Sequence, residues 1–565
     1  MKTLAKIFLI LAVVVFSACN DQLTELNVNP NGVDPSTVNP NLMIPTVITN
    51  TMTAYLDNNY QGDVAGVMQY VQKSGWGNGL NKLDWNTQRD WSGNYNTLRD
   101  AKHLYDRADI EGMEFHKGVA TVMRAFNFAY IADAWGDAPY TNALNAANGG
   151  QEDLFPVFDT QETIYKGIIE ELKQANTILS KSAGEYKDIS KSADVVYGGD
   201  PAKWRKLANS LMLRYYMRLS AKLPDYAKAG IQEIMSNQSQ YPVFTSISDD
   251  ATMAYIGTSS GDSWPANTVQ DVSMSNFDRI QLCAGFRDVL VKYNDPRIDV
   301  WFNKVRTQIK VSTEYPDEDI VVGNTRYLRP EYLEANNMVI YNPETWVADI
   351  DAGKTIIDTM EYVGMPIASS TGDGSNYNLN PNPIQGGPNV HNSALNDMYK
   401  AAKGDKLKAR LISYSEVCFI LAEAANKGWS VGGTQKEWYE KGVKASMETW
   451  GVDGSYGDYI AQEGVAHNGT LEQIMNQKWI ANWTMAHESW CDWRRTGYPV
   501  LAIGSKGVRN AMPIRYEYGG NEIARNNKNY NAAIQNLVET EHTATDGKDS
   551  SWSKFWLVQG TNKPY

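Results

Sequence analysis

Residues 119–140 read VATVMRAFNFAYIADAWGDAPY. Apolar side chains recur at Val119, Val122, Met123, Phe126, Tyr130, Ile131 and Ala134, at spacings of three and four that put them on one face of an α-helix. Gly136 closes the pattern and Pro139 follows, the order of a helix stop. The same period returns over residues 163–179, where Ile164, Ile168, Leu172 and Ala175 share a face and Asp159 or Thr160 stands as N-cap. It returns again over 201–223, with Pro201 at the first position and Trp204, Leu207, Leu211, Tyr215 and Leu219 aligned. Further helices are expected over 411–427, 435–450 and 471 to about 491. The chain is therefore expected to be mostly helical.

Outward from these helices the pattern changes. Between about 241 and 400 the periodicity fails, and stretches such as TSSGDSWP at 258–265 and GDGSNYN at 372–378 take its place. A long irregular region inside a compact protein is usually functional or disordered, and the Trp and Tyr content here speaks against disorder. At the other end, Lys2 and Lys6 precede an apolar run over 7–16, too short to span a bilayer. Small residues then lead to Cys19. This arrangement resembles the lipobox of bacterial lipoproteins, with Phe16 in place of the usual leucine. It implies a signal peptide over 1–18, acylation of Cys19 and a polar tether over 19–45. The remainder, 46–565, is expected to be one domain: a helical scaffold over about 46–240 and 400–530, and an irregular binding region over about 241–400.

Composition narrows the function. The net charge is -13, which disfavours nucleic acid. Cys283, Cys418 and Cys491 are far apart and odd in number, so no disulfide framework is indicated. There are 17 Trp and 32 Tyr but 13 Phe, a bias toward rings that keep a polar edge in contact with water. Sugar rings stack on such faces, and helix crossings also use them.

Motifs for chemistry are weak. GTSSG at 257–261 fits the G-x-S-x-G form but runs into loop sequence rather than a helix. His487 and Cys491 lie four apart, like half of a zinc helix, with no further ligand at the usual spacing. A calcium loop around Asp373, Ser375 and Asn376 lacks the closing glutamate. No catalytic residue, cofactor or metal is assigned. Structural calcium is an unsupported alternative.

Several blocks together resemble the SusD/RagB family of nutrient-binding outer membrane lipoproteins, in its SusD-like type two branch. They are MRAFNFAYIADAWGDAPY at 123–140, YGGD at 197–200 with Trp204 and ANSL at 208–211, NDPR at 294–297, SYSE at 413–416 with AEAA at 422–425, QKW at 477–479, and WCDWRRTGYP at 490–499. The resemblance implies an all-α fold of tetratricopeptide-like helical pairs carrying a large loop-rich ligand face. It implies a non-enzymatic lid on the outer membrane, facing outward, that hands oligosaccharide to a SusC-like TonB-dependent transporter. Alternatives are a RagB-like peptide binder, a surface glycosidase and a purely structural scaffold. Arg124, Asp133, Arg494 and Arg495 read as scaffold ion pairs, with Glu416 and Glu423 as partners for such arginines. Ligand contacts are expected outside the matching blocks, at Trp76, Trp85, Trp264, Trp346, Tyr377 and Asn378. Trp91 and Tyr95 read as core.

Overall fold

Asn39 ends the extended entry of the chain by accepting a hydrogen bond from the Asn41 amide, and Pro40 opens helix α1 (Pro40–Tyr60). Proline fits this first helical position because its missing N–H would find no partner there. The structure is a computed structural model describing residues 37–565 except Trp76, Asn86 and Gln385. Cys19, the signal segment and most of the tether therefore lie outside the described residues, as does Trp76. The tether reading to residue 45 is shortened, since helix begins at Pro40.

The long helices then come in neighbouring pairs. α2 (Ser92–Glu111) turns into α3 (Glu114–Trp135) through Gly112, whose φ of 65° suits glycine. α4 (Gln161–Ile178) packs on α3, α5 (Pro201–Leu219) on α4, and α6 (Pro224–Ser236) on α5. After the middle region, α7 (Tyr414–Asn426) packs on α8 (Gln435–Trp450) and α9 (Leu471–Ala481). α10 (Ala486–Thr496) returns against α1, α5 and α9. Helix caps follow the sequence: Thr160 accepts from the Thr163 amide at 3.2 Å, and Asp200 from the Ala202 amide at 2.9 Å. The helix expected over 471–491 is two helices, because Thr484 takes φ 73° and breaks the run. Where α6 crosses α5, a Cβ on Gly230 would lie 2.2 Å from Tyr216, so the crossing requires glycine.

The irregular middle holds more regular backbone than its composition suggests. β1 (Val71–Lys73) pairs antiparallel with β3 (Ile280–Leu282), and β2 (Ala251–Ala254) with β9 (Lys408–Ile412). β4 (Gln308–Val311), β6 (Thr325–Leu328) and β5 (Asp319–Val322) form a small mixed sheet. β7 (Met338–Ile340) runs parallel to β8 (Thr355–Ile357). These strands are too short to show a period in sequence, but their β-branched residues suit extended backbone. The scaffold is all-helical and tetratricopeptide-like, with the small sheets confined largely to the ligand-face region.

Buried ion pairs tie the helices together. Arg214 on α5 grips Glu416 on α7 at 2.8 and 2.6 Å and approaches Glu488 on α10 at 3.3 Å. Arg218 bridges Glu488 at 2.6 Å and Asp133 on α3 at 3.2 Å. Arg495 grips Glu423, and Lys478 meets Asp492 at 2.6 Å. Burial alone would raise the Asp492 carboxyl, but Lys478 and Arg495 hold it down at about 2. Arg124 pairs with Glu171 at 3.3 Å. Arg494 differs from the expected ion pair: its Nη1 donates to the backbone oxygens of Asp133 and Ile514 at 2.6 and 2.9 Å. Trp91 is buried, and the Tyr95 hydroxyl donates to the Pro139 oxygen, as core residues do.

Candidate ligand-binding site

The irregular 372–378 stretch meets the glycine-rich segment that holds Gly75, Gly77 and Gly79 on one face. The Gly75 amide donates to the Asp373 oxygen at 3.0 Å, and Gly75 has φ 73°. Asn81 lies at the end of the same glycine-rich segment. Its Oδ1 accepts from the Lys73 amide at 2.8 Å, its Nδ2 reaches the Asp373 oxygen at 3.3 Å, and its backbone oxygen accepts from Ala368 at 2.7 Å. Segment 74–82 is thus stapled to segment 368–375. Asp373 closes an Asx turn by accepting from the Ser375 amide and hydroxyl at 2.9 and 2.7 Å. Its carboxylate is therefore engaged by local donors.

Beside this junction lies a cavity of about 410 Å³. Its floor is apolar, from Met338, Ile350, Ile356, Met365 and the Tyr377 ring. Its rim is polar, from Lys354, Ser369, Ser370 and Asn376, while Asn81 lines it from a buried position with its amide already engaged. Lys354 is neutralised by Asp349 at 2.9 Å. The Asn376 side chain is exposed and makes no hydrogen bond among the described residues. An apolar floor under a few fixed polar groups is the usual design of a small-molecule pocket of about 300–1,000 Å³.

The six expected contacts divide. Tyr377 and Asn378 line this cavity. Tyr377 is half-buried, with its hydroxyl given to the Gly364 oxygen at 3.1 Å. Asn378 is a clamp: its amide donates to the Asp358 and His391 oxygens at 3.0 and 2.9 Å and accepts from the Asp358 amide at 2.9 Å. Its φ of 52° is one that asparagine tolerates. Trp346 sits one layer behind, packed on Ile350 and Ile356, and lines a smaller neighbouring cavity of about 230 Å³. Trp85 and Trp264 are corrections. Each is 1% exposed, so neither presents a ring face to a ligand. Trp85 is held by an indole bond to the Gly79 oxygen at 3.1 Å and lies 5.0 Å from the Tyr516 ring. Trp264 packs edge-on to Tyr60 at 4.8 Å. Their loops looked exposed in sequence, but both rings turn inward to fill the core beneath. Asn81, Ser369, Ser370 and Asn376 were not singled out as ligand contacts, although Asn376 lies within the quoted GDGSNYN stretch.

His487 and Cys491 do come together, and Asp133 joins them within 4.8 Å. Their surroundings oppose a cation. Arg218 faces Asp133, and the Arg494 guanidinium donates to the Cys491 sulfur at 2.8 Å. Burial pushes the Cys491 thiol well up, away from the thiolate a metal needs. The hydroxyl-rich 257–261 loop is likewise no elbow: Asp262 caps it by accepting from the Thr258 and Ser259 amides at 2.7 and 2.8 Å.

A family profile described as "Starch-binding associating with outer membrane", that of the second SusD-like group, matches residues 32–519. The chain belongs to the SusD-like family. Among solved structures, a SusD-like protein from Bacteroides thetaiotaomicron is 21% identical, with a TM-score of 0.65 and coverage of 92% of this chain and 100% of that one. A chitin-binding SusD homolog from Flavobacterium johnsoniae is 19% identical, with a TM-score of 0.66 and coverage of 92% and 99%. A SusD homolog from Bacteroides fragilis is 20% identical, with a TM-score of 0.65 and coverage of 92% and 99%. At these identities the likeness is one of fold. No curated protein matches the chain. SusD-like proteins are outer-membrane-associated nutrient binders, and that coarse role comes with the family.

Proposed function

We propose that this SusD-like chain captures an oligosaccharide in the cavity between segments 74–82 and 338–379. It would then pass the sugar to a SusC-like TonB-dependent transporter, while acyl chains on Cys19 hold it to the outer face of the outer membrane. The observation that carries the ligand reading is the cavity itself, an apolar floor with the Tyr377 ring beneath a rim of serine and amide groups. A sugar offers the complement, a C–H face and a ring of hydroxyls. Among the described residues the rim holds no unpaired cation for a carboxylate or phosphate, since Lys354 is matched by Asp349.

Calorimetric titration of protein lacking residues 1–19 with starch- and chitin-derived oligosaccharides tests this. Binding is expected for at least one series, weakened about tenfold, or ~1.4 kcal/mol, by Asn376→Ala. Binding of peptides with no response to any glycan would overturn the carbohydrate reading in favour of a peptide carrier.

A further inference from the structure

A second cavity opens on the helical scaffold and shares no lining residue with the first. Its volume is about 450 Å³. α1 supplies Asn58, α3 supplies Asn127 and Tyr130, the segment before α2 supplies Gln88 and Arg89, and Asn94 comes from the first turn of α2. Tyr516 closes one wall.

Its polar groups are not all used internally. Asn127 is 4% exposed, and its Nδ2 donates to Thr51 Oγ1 and the Met123 oxygen, both at 2.9 Å. No described residue donates to its Oδ1, although Asn127 lines the cavity. That oxygen is therefore open to the cavity, where a donor on a ligand can take the place of water. The Tyr130 hydroxyl accepts from Asn58 Nδ2 at 2.6 Å and keeps its own proton for another partner. The Asn94 amide is uncommitted among the described residues.

The charges narrow the ligand. Arg89 is ion-paired with Asp63, so the described residues of the cavity offer no free cation to an anion. Asp90 at the rim already accepts from the Ser92 amide at 2.8 Å. A wholly apolar ligand would leave Asn127 Oδ1 unmatched. A ring carrying several hydroxyls satisfies the open acceptor and donors and packs against the aromatic walls of Tyr130, Trp135 and Tyr516.

We infer that this cavity is a second carbohydrate site, for one or two neutral sugar residues, built on the α1–α3 scaffold rather than on the loop face. The inference rests on the carbohydrate reading above and goes beyond it in assigning a separate site. The probes are glucose, N-acetylglucosamine, maltose and N,N′-diacetylchitobiose at millimolar concentration, read by saturation-transfer NMR and calorimetry on protein lacking residues 1–19. Asn94→Trp fills the cleft from a partly exposed position, and Tyr130→Phe removes one hydroxyl; thermal melting checks that both fold. At least one probe is expected to bind the parent protein with a component that weakens tenfold or more in both variants and persists in Asn376→Ala, whatever is lost from the first cavity. Probe binding that Asn376→Ala abolishes and Asn94→Trp leaves intact would overturn the second site alone. Long oligosaccharides binding while none of the short probes does would also overturn it. Failure of every sugar, long and short, would remove the carbohydrate reading with it.

Discussion

Replacing Arg214 by methionine removes the cation that joins α5, α7 and α10. Arg214 is 3% exposed and donates to both Glu416 oxygens and, at 2.7 Å, to the Leu411 oxygen. Glu416 is 0% exposed and has Arg214 as its salt-bridge partner. Glu488 keeps Arg218 at 2.6 Å. The substitution therefore strands one buried carboxylate, not two, while methionine fills most of the space. Stranding a buried charge costs about 3–5 kcal/mol. Unfolding entropy near about 2.1 cal/mol/K per residue makes a chain this long lose roughly 1 °C of Tm per kcal/mol, so the melting shift is only about 3–5 °C. Guanidinium unfolding is the more sensitive assay. Burial already raises the Glu416 carboxyl, and losing Arg214 raises it further. A raised folded-state carboxyl destabilises as pH climbs through it, so the deficit of Arg214→Met should be larger at pH 8 than at pH 5. Adding Glu416→Leu should recover part of the loss. A deficit equal at both pH values, together with strictly additive effects of the two substitutions, would refute the stranded-charge reasoning.

Burial lifts Asp250 to about 7, against the opposing pull of Arg410 and the Tyr414 amide. Its folded value lies above the unfolded one, so it contributes stability below about pH 4 that is lost as pH rises through 7. Asp250→Asn should reduce that slope in denaturation midpoints measured from pH 5 to 8, leaving the contributions of other raised carboxyls such as Glu517, which burial also lifts to about 7. Trp85→Ala and Trp264→Ala should each cost about 3–5 kcal/mol in unfolding experiments and leave glycan affinity within twofold, because both rings are core. Cys283, Cys418 and Cys491 are free and buried, so a thiol reagent should label none of them in native protein lacking residues 1–19 and all three after denaturation. Rapid labelling of native protein would show that the core opens readily.

Much of the scaffold was legible because an amphipathic helix writes its period into the chain. The 119–135 pattern became Glu114–Trp135, and 435–450 became Gln435–Trp450. Glu416 and Glu423, seven apart on one face, did meet arginines. Yet the partner of Glu416 is Arg214, a pairing separated by 202 residues that no local pattern states. The candidate site was half legible. Glycine, asparagine and serine at 372–378 announced turns, since these residues tolerate the backbone that turns require. Which rings face the ligand was not announced. A tryptophan in a loop carries the same letters whether it points outward or, like Trp264, fills the core, and long-range packing makes that choice. By itself the sequence determined the helical class, the family blocks and the irregular 372–378 stretch. The tertiary structure decided that Gly75 bonds to Asp373, that Asn378 clamps the loop beside the cavity it lines, and that Asn127 keeps an acceptor open to a second cavity. Each of these depends on groups brought together from distant parts of the chain, where direction and burial, not residue type, set what a side chain can do.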